Sequence, residues 1–254
     1  MDITWHGANC VSFKERTTTV LYDPWEPVPV LTPPNKVDQI ALFDPSHQTQ
    51  PALVTELQPA ALQPDFDSQL VVSSRPVTDE DVLDGLPGQP RVVASPGEFE
   101  VRGTYVQSFR VAPKPTDQAA ADFSQLRMAH HMDFGTVRIT HLALPGAVFR
   151  PRDQQLVGAL VDNRTDILIL PIGSGADKDM AWVMDTCRRL EPSYCIPVDW
   201  QEPDLEEVSQ ALRTLGTINS EPQRRFRTAR GSKAADNLGG MTTVILAETP
   251  VSRR

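Results

Sequence analysis

The chain has 254 residues, of which 40% are hydrophobic and 22% are charged. This composition supports a sizeable hydrophobic core and excludes a fully disordered or fibrous protein. With 24 Lys and Arg against 33 Asp and Glu, the net charge is -9, which argues against a broad basic face for duplex nucleic acid.

The three cysteines, Cys10, Cys187 and Cys195, are widely spaced. This spacing is typical of neither a disulfide framework nor a pair of zinc-binding CxxC motifs, so we expect reduced thiols in the core. No stretch reaches the roughly 18 apolar residues of a membrane helix, and the first residues lack the pattern of a secretory signal. The sequence therefore predicts a cytoplasmic protein that does not enter a membrane.

The predicted elements begin with an N-terminal β-meander. Alternating β-branched and aromatic residues predict strands over residues 2–5, 10–13 and 18–22. Eight prolines then fall between Pro27 and Pro64, and each removes a ladder donor and restricts the residue before it. We expect a single domain over residues 1–254, with a proline-rich insertion at about residues 27–64 that carries a short helix near residues 52–57.

The rest of the chain changes from β-rich to alternating α and β. Strands, two of which form a hairpin, are predicted over residues 70–72, 91–94, 99–102, 104–111, 126–132 and 136–142. Helices are predicted over residues 78–83, 152–161, 177–190 and 205–215. The last strands are predicted over residues 166–171, 194–198 and 242–246, the final one at an edge of a sheet. Buried strands separated by helices indicate an α/β fold with covered sheet faces.

Short sequence blocks stand in an informative order along the chain. They read ITWHG at residues 3–7, VLYDP at 20–24, PRVV at 90–93, SPGEFEV at 95–101, ITHL at 139–142, ILILPIG at 167–173, and LEP at 190–192 leading to IPV at 196–198. Together they resemble the metallo-β-lactamase superfamily, in the branch similar to ascorbate-6-phosphate lactonases. The resemblance implies a four-layer αββα sandwich. It also implies a hydrolase in which one or two metal ions, held by an HxHxDH motif and more distant His and Asp residues, activate water.

The positions that the resemblance assigns to metal ligands hold other residues in this chain. Where HxHxDH belongs, residues 73–81 read SSRPVTDED, without a histidine. The changed positions are Ala8, then Ser74, Pro76, Thr78 and Asp79 in the motif, then Leu144 for a bridging aspartate and Asp199 for a terminal histidine. Only Asp79 and Asp199 readily bind a cation, and two carboxylates without imidazole favour a hard cation, held weakly, over zinc. We therefore expect no catalytic residue, no metal and no cofactor.

The histidines are interpreted as structural groups. His130 and His131 are neighbours on one predicted strand, so their rings point to opposite faces and cannot easily chelate one ion. We expect one of them to be buried and the other exposed. His6, His47 and His141 are interpreted as core or surface groups rather than ligands.

A basic run stands out against the acidic total, and it supplies the candidate partner contacts Arg224, Arg225, Phe226, Arg227 and Arg230. A solvated loop or a contact with an acidic partner is favoured over RNA binding, because the run is short and isolated.

The turn at residues 173–175 is interpreted as a tight turn, with phosphate binding as the alternative.

The sequence thus favours a catalytically degenerate metallo-β-lactamase-like protein that acts as a structural or interaction subunit, assembled with itself or with a metal-bearing relative. Two alternatives stay open. One is a hydrolase with a rearranged, non-zinc site around Asp79, Asp199 and either His141 or Asp23. The other is a small-molecule or phosphate sensor that uses the former active-site cleft.

Overall fold

The computed structural model describes residues 1–31, 53–59, 68–77, 88–111, 127–145, 164–173, 178–219, 221–228 and 240–249. The strands up to the middle of the chain are β1 (Asp2–Gly7), β2 (Cys10–Glu15), β3 (Thr18–Tyr22), β4 (Trp25–Leu31), β5 (Leu53–Pro59), β6 (Leu70–Val72), β7 (Arg91–Val93), β8 (Gly97–Val101) and β9 (Thr104–Val111). They are followed by β10 (Arg127–Asp133), β11 (Arg138–His141), β12 (Ile167–Pro171), α1 (Met180–Leu190), β13 (Tyr194–Val198), α2 (Leu205–Leu212), β14 (Gly216–Ile218), β15 (Phe226–Arg227) and β16 (Met241–Thr243). The helices predicted at residues 78–83 and 152–161 lie outside the described residues.

A six-stranded sheet is built mainly from the N-terminal part of the chain, in the order β15-β1-β2-β3-β6-β7. The predicted meander is confirmed, because β1, β2 and β3 are antiparallel neighbours, with Phe13 opposite Ile3 on one side and Val20 on the other. β6 pairs in parallel with β3. The carboxyl ends of β3 and β6 therefore lie at the same edge of the sheet.

An eight-stranded sheet has the order β14-β16-β13-β12-β11-β10-β9-β8. The predicted hairpin is confirmed as β10 and β11, which pair with Asp133 opposite Arg138. β11, β12 and β13 are parallel, so their carboxyl ends also meet at one edge.

The main core lies between the two sheets, and β12 shows how the sequence builds it. Ile167 and Ile169 pack into a cluster that also contains Phe13 of the other sheet, whereas Leu168 and Leu170 pack into a second cluster with the two helices. Side chains alternate between the faces of a strand, so a continuous apolar run is suited to a sheet that is covered on both faces.

The six-stranded sheet is covered on its second face as well. Val20 and Tyr22 pack into the core between the sheets. Leu21, which lies between them on β3, and Val71 on β6 also have no exposed surface. The predicted α/β fold, a metallo-β-lactamase-like sandwich with two sheets, is confirmed.

Helix α1 begins at a side-chain cap and ends in a left-handed turn. The Asp179 carboxylate accepts a hydrogen bond from the Trp182 N–H (3.0 Å), and Glu191 closes the helix with φ 44°. Val183 and Cys187 form its buried stripe, as their helical spacing predicts. Within the described part of the chain, neither helix combines the length and apolar character that crossing a bilayer requires.

The helix predicted near residues 52–57 is wrong, because residues Leu53–Pro59 form strand β5. It pairs antiparallel with β4, with Val54 opposite Val30. Pro27 and Pro29 stand two residues apart on β4, so their missing N–H groups fall on one side of that strand. In a two-stranded ribbon, each strand has one side without hydrogen bonds to a neighbouring strand. Proline, which lacks an N–H group, is tolerated on that side.

Two further boundaries differ from the sequence prediction. The strand predicted at an edge over residues 242–246 is β16, at Met241–Thr243, and it lies between β13 and β14. The helix predicted over residues 205–215 ends at Leu212 and is followed by β14. A three-residue strand is too short to show an alternating pattern, and its pairing with β16 decides its conformation.

Candidate functional site

The positions that the resemblance assigns to metal ligands lie after the ends of strands, with Ala8 in the β1–β2 turn, Ser74 after β6, Leu144 after β11 and Asp199 after β13. Two hydrogen bonds bring three of these segments together. The Asp199 N–H donates to the Ala8 carbonyl (3.1 Å), and the side-chain amide of Asn9 donates to the Ala143 carbonyl (2.7 Å). Ala8, Leu144 and Asp199 therefore belong to neighbouring turns at one edge of the sandwich.

Ser74 lies at the same edge, because its main chain is hydrogen-bonded to the eight-stranded sheet. Its carbonyl accepts a hydrogen bond from the Met128 N–H (2.8 Å), at the start of β10. The start of β10 lies beside the end of β11, because the two strands are antiparallel. Ser74 and the nearby Pro76 thus lie close to the other changed positions, whereas Thr78 and Asp79 are outside the described residues.

Unusual backbone conformations concentrate at this edge. Nine described residues other than glycine have positive φ, and four of them are here: Ala8 (42°), Asp23 (44°), Ala143 (70°) and Asp199 (54°). A left-handed conformation costs an L-residue about 1–2 kcal/mol. Such strain occurs at functional sites, and together with the ligand positions that the resemblance assigns here it supports this edge as the candidate site.

A buried carboxylate, Asp23, anchors the Ser74 loop. Its Oδ1 accepts the Ser74 N–H (2.6 Å), and its Oδ2 accepts a short hydrogen bond from the Ser74 hydroxyl. Burial raises the pKa of Asp23 from 3.8 to about 6, and the two hydrogen bonds from Ser74 partly oppose that rise. The Ser74 hydroxyl, at a position that the resemblance assigns to a ligand, therefore donates its hydrogen bond to Asp23.

Two arginines neighbour this carboxylate. Arg75 follows Ser74 and Arg127 precedes Met128, so the hydrogen bond between Ser74 and Met128 places the two arginines beside each other. The pKa of Arg127 is lowered to about 10, mainly by burial and also by the charge of Arg75, and the charge of Asp23 partly opposes this shift. The described side chains around Asp23 thus combine one carboxyl group with two guanidinium groups.

A group of buried rings lies behind Asp23. The ring of Tyr22 stacks on that of His141 (centroids 3.7 Å apart, planes at 11°) and meets that of His130 edge-on (5.3 Å, 81°). The Tyr22 hydroxyl lies 3.0 Å from Nδ1 of His130. His130 and His141 are paired residues of the β10–β11 hairpin, so their side chains share one face of the sheet.

Hydrogen bonding assigns the proton of the His141 ring. Its Nδ1 accepts the Ala143 N–H (3.1 Å), so its Nε2 carries the proton and has no lone pair to offer a metal ion. Burial holds the pKa of His141 well below 6.5 and lowers the pKa of His130 to about 3. Both imidazoles are therefore neutral at pH 7, and the prediction that His141 is structural agrees with its contacts.

The expectation that one of His130 and His131 is exposed is wrong, because both are buried. The His131 ring lies on the opposite face and pairs with the Thr140 hydroxyl (3.0 Å). Both faces of the eight-stranded sheet are covered, so neither ring reaches solvent. The sequence did contain the signal for the His130–His141 pair, since the two residues are equally distant from the Asp133–Arg138 end of the hairpin.

The described residues do not fit the zinc site of the family. Ala8, Pro76 and Leu144 carry no ligand atom, and the Ser74 hydroxyl is bonded to Asp23. Asp199 is the one carboxylate at a described ligand position. No group of three His, Cys, Asp or Glu side chains suited to a metal ion is found within the described ranges. A structural zinc site normally takes four such ligands and a catalytic site three.

Two residues of the basic run, Phe226 and Arg227, form β15 at an edge of the six-stranded sheet. Arg225 and Arg227 both bond to the Asp2 carboxylate, at 3.2 Å and 2.8 Å, and Phe226 packs against Tyr194. The two guanidinium groups remain largely exposed, and Arg230 lies outside the described residues.

The three cysteines are free and buried, which confirms the prediction of core thiols.

The fold and the order of the sequence blocks indicate the protein family, and a sequence comparison identifies it. The family model for the β-lactamase superfamily domain matches residues 2–199, so the chain belongs to this family, whose fold is that of the metallo-β-lactamases. No curated protein matches the chain by sequence.

Several solved structures share the fold. A candidate zinc-dependent hydrolase of the metallo-β-lactamase superfamily from Thermotoga maritima has a TM-score of 0.60 and 16% identity, with 96% of this chain and 98% of that chain covered. A candidate metal-dependent hydrolase from Veillonella parvula has a TM-score of 0.52 and 14% identity, with 84% and 92% covered. An isothiocyanate hydrolase from Delia radicum gut bacteria has a TM-score of 0.51 and 11% identity, with 83% and 92% covered. At these identities the likeness establishes the fold alone.

Proposed function

We propose that this chain is a metallo-β-lactamase-fold protein without metal-dependent hydrolase chemistry, and that it acts as a structural or interaction subunit. Two facts support the proposal: the left-handed turns at the strand ends are present, and the positions there that the sequence resemblance assigns to ligands hold Ala8, Ser74, Pro76 and Leu144. A scaffold without ligands can bind but cannot polarise water through a metal ion. The sequence blocks support a place for this chain in the ascorbate-6-phosphate-lactonase-like branch of the family.

The partner in this proposal is a second copy of the chain or a metal-bearing relative. Arg225 and Arg227 support a contact at the β15 edge, because they remain largely exposed although they pair with Asp2. Light scattering over a wide concentration range tests assembly. We expect a mass above that of the monomer, either for the chain alone or after a metal-bearing relative is added. A monomer under both conditions would contradict the interaction role.

The competing function is a hydrolase with a rearranged site for a non-zinc ion, and its support is that solved structures with this fold are candidate metal-dependent hydrolases. In this chain the Asp23 carboxylate bonds to Ser74, and His141 uses its Nδ1 to accept a main-chain N–H. A thermal-unfolding series with added Mn²⁺, Mg²⁺ or Zn²⁺ separates the two functions. We expect no ion to raise the melting temperature, whereas a saturable rise would favour the hydrolase.

A further inference from the structure

Two of the three cysteines face each other across the interface between a helix and a sheet. The Cys187 thiol, on α1, donates a hydrogen bond to the Cys195 sulfur, on β13, with the two Sγ atoms 3.9 Å apart. Both thiols are free and buried. Cys10 lies on β2 of the other sheet and provides an internal reference for any reaction of this pair.

A surface cavity of about 480 Å³ gives small molecules access to one member of the pair. Cys187 and Glu191 line it on the side of α1, and Leu215 and Met241 line another part of the wall. Cys195 is not a lining residue and has no exposed surface. A reagent that enters the cavity therefore meets Cys187 first.

We propose that Cys187 and Cys195 form an oxidisable dithiol pair, which closes to a disulfide when a small-molecule disulfide enters this cavity. A disulfide bond is about 2.05 Å long, so the sulfur atoms must approach by roughly 2 Å. Rotation about the Cα–Cβ bond of each cysteine moves its sulfur atom and is the movement that closure requires. This inference is independent of the proposed function.

The reaction is two successive thiol–disulfide exchanges. The Cys187 thiolate attacks one sulfur of the reagent, forms a mixed disulfide and releases one reagent thiolate, which takes up a proton. The Cys195 thiolate then attacks the Cys187 sulfur and releases the second. In total the protein loses two hydrogen atoms, and one reagent disulfide is reduced to two thiols. The hydrogen bond with Cys187 and burial both raise the pKa of Cys195, so alkaline pH favours the reaction of this pair.

The disulfide would tie α1 to the strand that leads to Asp199. It would close a loop that contains the left-handed turn at Glu191. Such a cross-link restricts the unfolded chain, so the oxidised protein should melt at a higher temperature than the reduced protein.

The test treats the folded, full-length protein with oxidised glutathione at about pH 8.5, near the ordinary thiol pKa. Free thiols are then counted in denaturant, and the intact mass is measured. We expect the thiol count to fall from three to one, starting from the three cysteines, with a mass loss of about 2 Da. A reductant should reverse both changes.

Alanine variants identify the sulfurs involved without burying an unpaired hydroxyl. Cys10→Ala should still lose two thiols, whereas Cys187→Ala and Cys195→Ala should not form the internal disulfide. Circular dichroism confirms that each variant is folded. Three thiols that remain after prolonged treatment, a stable glutathione adduct on Cys187, or a reaction through Cys10 would each overturn the proposal.

Discussion

The Asp23 carboxylate is buried beside Ser74, at the turn that follows β3. Burial raises its pKa from 3.8 to about 6, so the folded protein binds a proton here in a pH range where the unfolded chain does not. This contribution to stability is fully present below pH 3.8 and is lost as the pH rises through about 6. At neutral pH the buried charge is tolerated because Ser74 donates two hydrogen bonds to it.

Asp23→Asn should therefore change the pH dependence of folding. The free energy of unfolding of the wild type, minus that of the variant, should fall by roughly 1 kcal/mol between pH 5 and pH 8. Urea unfolding of both proteins at each pH gives this difference, and the contributions of the buried histidines cancel in it. Parallel profiles over the whole range would show that the Asp23 pKa is not raised.

The contacts of single residues were only partly predictable from the sequence. The hairpin register could have placed His130 beside His141, because pairing follows from counting back from the turn. The sequence could not reveal that Tyr22, more than 100 positions from either histidine, stacks on His141 and bonds to His130. Such a contact depends on how the two sheets are packed.

Elements with a strong local pattern were predicted best. The β-hairpin, the buried strand β12 and helix α1 show alternation, an apolar run and helical spacing respectively, and all three are confirmed. The ribbon of β4 and β5 and the short strand β14 were missed, because pairing with a distant segment determines them. Tertiary pairing overrides a weak local preference.

Strand β14 depends on a glycine at its first position. A Cβ atom added to Gly216 would overlap the backbone of Met241, its partner on β16. Gly216→Ala should therefore lower the free energy of unfolding by at least about 2 kcal/mol, since the backbone cannot move aside as a flexible side chain could. Urea unfolding measures the change.

Gly135→Ala is the matched control for this substitution. Gly135 has φ 78° and no neighbouring atom within 4 Å of an added Cβ. Gly135→Ala should lower the free energy of unfolding by only about 1 kcal/mol, because alanine disfavours this left-handed backbone conformation. An equal or smaller loss for Gly216→Ala would contradict the close approach of β14 and β16.

At the scale of the whole molecule, the sequence predicted the family and its two-sheet sandwich, because the block order reflects the succession of strands. The single domain over residues 1–254 remains a prediction. Fold likeness does not transfer an activity, since chemistry depends on the side chains at the site. Here the fold places Ala8, Ser74, Leu144 and Asp199 at the strand ends, and their side chains determine what the site can do.

The metal content of the purified protein tests the absence of a metal site most directly. The protein is prepared without chelator, incubated with Zn²⁺, Mn²⁺ and Mg²⁺, desalted and measured by elemental analysis, beside Asp79→Asn and Asp199→Asn. We expect metal well below one ion per chain in all three proteins. One tightly bound ion per wild-type chain, lost in either variant, would contradict the proposed function and restore a metal-dependent hydrolase.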